Sequence, residues 1–338
     1  MELSTLHEIA LAMVAPGKGI LAADESHGTI TKRFNALGIE SSEESRRQYR
    51  LMFFRSDICP EAISGVILYD ETIRQAADDG TSIPDFLTSR GIVPGIKVDT
   101  GAKELAGHPQ EKITEGLDGL RDRLREYHEL GARFAKWRAV ITIGDEIPSR
   151  GCIEGNAHAL ARYAALCQEN GIVPIVEPEV LMDGGHTIER CQAVTEETLQ
   201  VVFSQLSAQR VSLEGIVLKP NMVVSGTDCA QQAGVEEVAE RTLSTLKRCV
   251  PSAVPGIAFL SGGQSDEDAT AHLNAMNQLG GAPWQLTYSY GRALQAAAMR
   301  TWGGRDDQFA SGAAAFEKRA RLNSAARSGT YQAAMEKG

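Results

Sequence analysis

No stretch of about 18 consecutive apolar residues occurs in the 338-residue chain, so no segment reads as a membrane span. Basic residues are the minority. Lys and Arg number 34 against 44 Asp and Glu, and the resulting net charge of −10 argues against nonspecific binding to nucleic acid or an anionic membrane. An anionic ligand would need positive charge concentrated locally, against that global field. The six cysteines (Cys59, Cys152, Cys167, Cys191, Cys229, Cys249) form no CxxC pair and are widely separated, as expected of reduced, mostly buried thiols. No Lys or Arg precedes Lys18, so a secretory leader of the usual kind is not expected. The seven histidines show no HxxxH or HExxH spacing, so a metal centre is not expected. GxGxxG, GxxxxGK[ST] and GxSxG are all absent, which lowers the expectation of a dinucleotide enzyme, a P-loop enzyme or a serine hydrolase. A cytoplasmic, soluble protein is expected, with no resident metal or cofactor. At 43% hydrophobic and 23% charged residues it can build a large core.

What is present is regular. Eight short apolar runs alternate with amphipathic segments: Gly19–Ala23, Ile63–Leu68, Ile92–Val98, Arg133–Trp137, Val173–Val176, Gly215–Leu218, Ile257–Leu260 and Gln285–Tyr288. Helical spacing is visible in Leu199, Val202, Phe203 and Leu206, and again in Val235, Val238, Thr242 and Leu246. Ile113, Leu117, Leu120, Leu124 and Leu130 predict a further helix ending before Gly131. Thr5 with Glu8, and Ser265 with Asp268, read as capping boxes opening helices. Strands alternating with helices imply a parallel sheet. Each apolar run meets a polar residue at its C-terminal edge: Asp24, Tyr69, Lys97, Lys136, Glu177, Lys219, Ser261 and Ser289. The intervals between these marks run from 28 to 45 residues, room for one strand, one helix and two loops. Eight such units predict an α/β fold, a (β/α)8 TIM barrel whose functional groups sit at the C-terminal strand ends. An open, doubly wound sheet is the competing architecture. The barrel is expected to span 1–326, with one more helix near Ala313–Ala320 and a flexible tail over 327–338.

The strand ends carry the candidate chemistry. Lys219 follows the apolar Ile216-Val217-Leu218, and Pro220 fixes where the chain leaves the strand. Lys136 and Arg138 would share its rim if the barrel closes. Clustered positive charge and burial both disfavour a protonated amine, and an uncharged lysine condenses with a ketone to a Schiff base. The competing reading is a lysine that snorkels to solvent or pairs with a carboxylate. Strand alternation sends Glu177 and Glu179 to one side, as an acid/base pair or as neutralising partners of the lysines. Asp24 ends the first strand and could equally cap the helix after it. Ser261-Gly262-Gly263 before a helix start, and Ser289-Tyr290-Gly291-Arg292 at the next strand end, have the form of an anion nest beside a guanidinium. Ser26, Thr29, Arg33 and Lys97 offer a weaker second anion site.

These segments together resemble a known family. Leu21-Ala22-Ala23-Asp24-Glu25-Ser26, Lys136-Trp137-Arg138, Val176-Glu177-Pro178-Glu179, Leu218-Lys219-Pro220-Asn221-Met222, Leu260-Ser261-Gly262-Gly263-Gln264 and Tyr290-Gly291-Arg292-Ala293-Leu294-Gln295 occur in that order, and the chain to about Ala326 is similar to class I fructose-bisphosphate aldolase. The resemblance implies a metal-independent cleavage of fructose 1,6-bisphosphate into dihydroxyacetone phosphate and glyceraldehyde 3-phosphate, in glycolysis or gluconeogenesis. It implies that Lys219 forms the imine, that Glu177 is its acid/base, and that Lys136 and Glu179 support it. Asp24 would accept the carbon-4 hydroxyl proton. One phosphate would lie on Ser261, Gly262, Gly291 and Arg292, with Arg138 on the same rim, and the other around Ser26, Thr29 and Lys97. Phosphorylated ketose and triose substrates and a homotetramer are implied in the same way. Many eukaryotic members end in a tyrosine that reaches the active site, whereas this chain ends Glu336-Lys337-Gly338, and Tyr331 is given no role. The alternatives are a Schiff-base aldolase for another sugar phosphate, such as the seven-carbon bisphosphate, and a barrel kept as a non-catalytic scaffold.

Overall fold

A computed structural model of the chain describes residues 3–337. Met1, Glu2 and Gly338, which the expected domain and tail boundaries include, lie outside the described residues. Eight parallel strands close a ring: β1 (Gly19–Ala22), β2 (Ile63–Leu68), β3 (Val93–Lys97), β4 (Phe134–Ile141), β5 (Val173–Val180), β6 (Val217–Leu218), β7 (Gly256–Phe259) and β8 (Gln285–Tyr290). Each strand pairs with its sequence neighbours, and β1 pairs with β8 through Ile20 opposite Ser289 and Leu21 opposite Tyr290. Closure decides between the two expected architectures, since an open sheet would leave two edges. All eight strands fall on the apolar runs that the sequence marks. However, β4 and β5 continue to Ile141 and Val180, so Lys136 and Glu177 lie inside their strands and not at the ends, because the extended pairing of β4 with β5 runs on past them.

Two layers of core follow from the closed ring. Outside it, strand residues such as Val66, Ile96, Trp137 and Phe259 pack against the surrounding helices. Inside, Ile20, Ile67, Phe134, Val173, Ile175 and Val217 form a separate cluster that also contains Leu6, Ala10, Met13 and Val14. The helix Leu3–Met13 therefore plugs the N-terminal mouth of the barrel, which leaves the C-terminal mouth for the polar strand ends. Gly95 makes room in that floor, because a Cβ there would run into the Phe134 ring.

Two local expectations are corrected. Thr5 does not open a helix, since it lies inside Leu3–Met13. Ile113 and Leu117 are not helical either. Ile113 belongs to a two-stranded hairpin, Ala102–Glu104 with Lys112–Thr114, and the helix runs only Leu120–Glu129. Gly116 (φ 128°) and Gly119 (φ 67°) break the helical path between them. The apolar spacing persists because Ile113 packs from the hairpin on Gly155 of the next helix.

Ser265 does cap its helix, with the Asp268 N–H donating to Ser265 Oγ and Leu273 and Met276 buried, but among the described residues no reciprocal bond to the Asp268 side chain completes the expected box. The last helix spans Phe309–Arg327, longer than Ala313–Ala320, because its small residues pack closely on both sides: Gly312 against Met52 and Trp302, Phe316 in the core. Beyond it Tyr331 is buried, and Glu336 reaches back to Arg319 at 2.7 Å.

Candidate active site

The C-terminal mouth holds a cavity of about 270 Å³. Its wall includes Asp24, Ser26, Thr29, Lys97, Lys136, Arg138, Glu177, Glu179, Lys219, Ser261, Gly262, Gly291 and Arg292, so every residue to which the resemblance gives a role is brought to one place, while Tyr69 and Gly263 are not on the wall. Strand alternation explains much of this. Lys136 and Arg138 on β4, and Glu177 and Glu179 on β5, are two residues apart and share a side, and β5 stays extended through Pro178. Lys219 continues the β6 pairing, its N–H donating to the Val176 carbonyl at 2.8 Å, and Pro220 then turns the chain away.

Charges alternate across the cavity floor. Lys136 Nζ lies 2.7 Å from Asp24 Oδ2 and 3.6 Å from Glu177 Oε2, while Lys219 Nζ lies 3.2 Å from Glu177 Oε1. The basic crowd expected around Lys219 is thus interleaved with carboxylates, because Asp24, just past β1, meets Lys136, and Glu177 on β5 stands between Lys136 and Lys219. Lys219 and Glu177 are only 4% and 3% exposed, so neither reaches bulk solvent. Burial pushes the Asp24 pKa up, but Lys136, Lys219 and Lys97 outweigh it and hold the carboxyl at about 2. Burial likewise opposes ionisation of Glu177, and Lys136, Lys219 and Arg138 again bring it below the ordinary range. Burial works against the Lys136 charge as well, and Asp24 and Glu177 reverse this and raise its pKa well above that of a free lysine. Arg138 donates from Nε to Glu179.

The helix after β1 is capped by Ser26, not Asp24: the Thr29 N–H donates to Ser26 Oγ at 3.4 Å. That frees Asp24 for Lys136. Ser26 and Thr29 hydroxyls stand 3.1 Å apart, with Arg33 and Lys97 also on the wall. At the other candidate anion site Gly262 (φ 63°) and Gly263 (φ 111°) take the left-handed backbone that glycine adopts readily. Among the described residues no side chain caps the helix Arg292–Trp302, so its first N–H groups open beside the cavity where Gly291 and Arg292 lie.

Asp99 and Glu25 escaped the sequence reading. Asp99 accepts from the Arg138 N–H at 3.3 Å and sits 3.6 Å from Lys97, and Glu25 pairs with Arg33 at 2.7 Å. The signal for Asp99 was available, since it stands two residues beyond Lys97 as Arg138 does beyond Lys136.

A family model described as fructose-bisphosphate aldolase class-I matches residues 5–338. The chain belongs to the class-I fructose-bisphosphate aldolase family. It is 61% identical over 302 residues to the probable fructose-bisphosphate aldolase class 1 of Xanthomonas axonopodis pv. citri, covering 89% of this chain and 90% of that one. It is 53% identical over 318 residues to the cytosolic fructose-bisphosphate aldolase 6 of Arabidopsis thaliana, covering 94% and 88%. Among solved structures, the Plasmodium falciparum fructose-bisphosphate aldolase superposes with a TM-score of 0.96 at 46% identity, over 97% of this chain and 95% of that one. This class-I aldolase is an aldehyde-lyase that reversibly splits fructose 1,6-bisphosphate into dihydroxyacetone phosphate and glyceraldehyde 3-phosphate, a reaction of glycolysis.

Proposed function

We propose that Lys219 is the residue that carries this cleavage and that the other strand-end groups serve it. The observation behind the proposal is the Lys219 Nζ to Glu177 Oε1 distance of 3.2 Å on the floor of a cavity whose wall carries two sets of anion-binding groups. Nucleophilic attack needs the amine without its extra proton, and Glu177 is the carboxylate in reach to take it. The amine adds to the substrate ketone to give a carbinolamine. Glu177 returns the proton to the departing hydroxyl, water leaves, and the protonated imine forms. Asp24 then accepts the carbon-4 hydroxyl proton. The bond between carbons 3 and 4 breaks, the aldehyde departs, and its electron pair enters the imine to leave an enamine on Lys219. The carbanion is never formed free, which is the relief that a metal supplies in metal-dependent aldol cleavage.

Asp24 suits its role because its carboxyl, held at about 2, is ionised at neutral pH. Lys136 stays charged between Asp24 and Glu177 and keeps both oriented. Glu179 holds Arg138 on the rim. One substrate phosphate belongs on Ser261, Gly262, Gly291 and Arg292, and the other on Ser26, Thr29 and Lys97. A cytoplasmic homotetramer completes the reading. Family membership supports the assembly, one similar protein is named cytosolic, and no described helix is long and apolar enough to cross a membrane.

Borohydride reduction with dihydroxyacetone phosphate, followed by peptide mass spectrometry, tests the assignment. The expected adduct is on the peptide containing Lys219, and Lys219→Ala should abolish both adduct and cleavage. An adduct on another lysine would refute it.

A further inference from the structure

The turn after β7 places Ser261 and Gly262 on the cavity wall, while Gln264 stands behind it. The Gln264 backbone N–H donates to the Ser261 carbonyl at 3.0 Å. Its side-chain Nε2 donates to the same carbonyl, also at 3.0 Å. In a trans peptide the carbonyl of Ser261 and the N–H of Gly262 point in opposite directions. Two donors that draw the carbonyl toward Gln264 therefore turn the Gly262 N–H to the other side, where the cavity lies.

The amide of Gln264 can do this only one way round. With Nε2 on Ser261, Oε1 needs a donor, and His272 supplies it from the helix Asp266–Leu279, its Nδ1 lying 2.6 Å from Oε1. Turned over, the amide would set Oε1 against the Ser261 oxygen, acceptor facing acceptor. The ring therefore carries a proton on Nδ1. His272 is buried and absent from the cavity wall, so it has no direct contact with a bound substrate.

We propose that His272 is a positioning residue of the anion site, orienting the Gly262 N–H through the Gln264 amide. The proposal rests on the reading that this turn holds a substrate phosphate. The bland alternative is a core histidine that contributes to stability alone.

The test uses the full-length enzyme with the variants His272→Leu, His272→Asn, Gln264→Leu and the Leu/Leu double variant, with Arg292→Ala as reference. KM and kcat for fructose 1,6-bisphosphate and the inhibition constant of inorganic phosphate are measured for each. His272→Leu should raise KM and the phosphate inhibition constant about five- to tenfold, the worth of one oriented hydrogen bond, with kcat within about twofold. His272→Asn should recover most of the loss, because its amide can donate to Oε1. Adding His272→Leu to Gln264→Leu should cost nothing more, since both act through the same amide. Wild-type KM in His272→Leu, or a loss confined to kcat, would overturn the proposal. Should that variant fail to fold, unchanged KM in Gln264→Leu would overturn it equally. If Arg292→Ala itself leaves phosphate inhibition unchanged, the phosphate reading of the turn fails first, and the two failures are told apart.

Discussion

Lys136→Met removes the cation that stands 2.7 Å from Asp24 and 3.6 Å from Glu177, while keeping a side chain of similar length. Asp24 lies at about 2 against an ordinary 3.8, so its ionised form is favoured by nearly two pKa units, or about 2 kcal/mol. Lys136 is the largest of the cations responsible. Removing one partner of a buried pair costs about 3 to 5 kcal/mol, partly offset here because the buried ammonium goes as well. The expected loss at pH 7 is about 2 to 4 kcal/mol, read as a lower urea midpoint.

The sign of its pH dependence follows from the same numbers. In the wild type the folded pKa of Asp24 is depressed, so its stabilisation is complete above pH 3.8 and lost as pH falls through about 2. In the variant the carboxyl takes up a proton at higher pH than in the wild type. The stability gap between the two proteins should therefore narrow as pH falls from 7 toward 4. On the proposed mechanism turnover should drop about 100-fold or more, because proton transfer assigned to Asp24 and Glu177 would lose its organiser. A gap equal at pH 7 and pH 4, or no loss at pH 7, would refute the reasoning.

Chelator treatment should leave the cleavage rate unchanged in a coupled assay, because a lysine imine and not a metal receives the electron pair; inactivation reversed by added metal would contradict this. Glu336→Gln should lower the thermal midpoint by weakening the pair with buried Arg319, a loss of about 2 kcal/mol, and an unaltered midpoint would show that the C-terminal segment contributes nothing there. Gly95→Ala should cost about 3 kcal/mol in urea unfolding, since its Cβ would enter the space of the Phe134 ring in the barrel floor; a neutral result would mean that the floor can shift.

The amino-acid order by itself determined where the eight strands lie, though not that β4 and β5 run on past Lys136 and Glu177. A buried parallel strand needs a short run of branched apolar residues, and barrels carry their functional groups toward the C-terminal side of the strands, so Lys136, Glu177 and Lys219 stood out behind their apolar runs. The paired positions two residues apart were legible for the same reason, since pleating is a local property. Tertiary structure alone decided that the sheet closes, that Leu3–Met13 fills its lower end, and that 102–114 form a hairpin where an apolar spacing looked helical. It also decided which charge meets which. Glu177 lies between two lysines, Asp24 takes Lys136 while Ser26 caps the helix, and His272 steadies Gln264. Apolar spacing encodes that a side chain is buried. Its partner is set by the closure of the ring, which brings strand ends more than a hundred residues apart into contact.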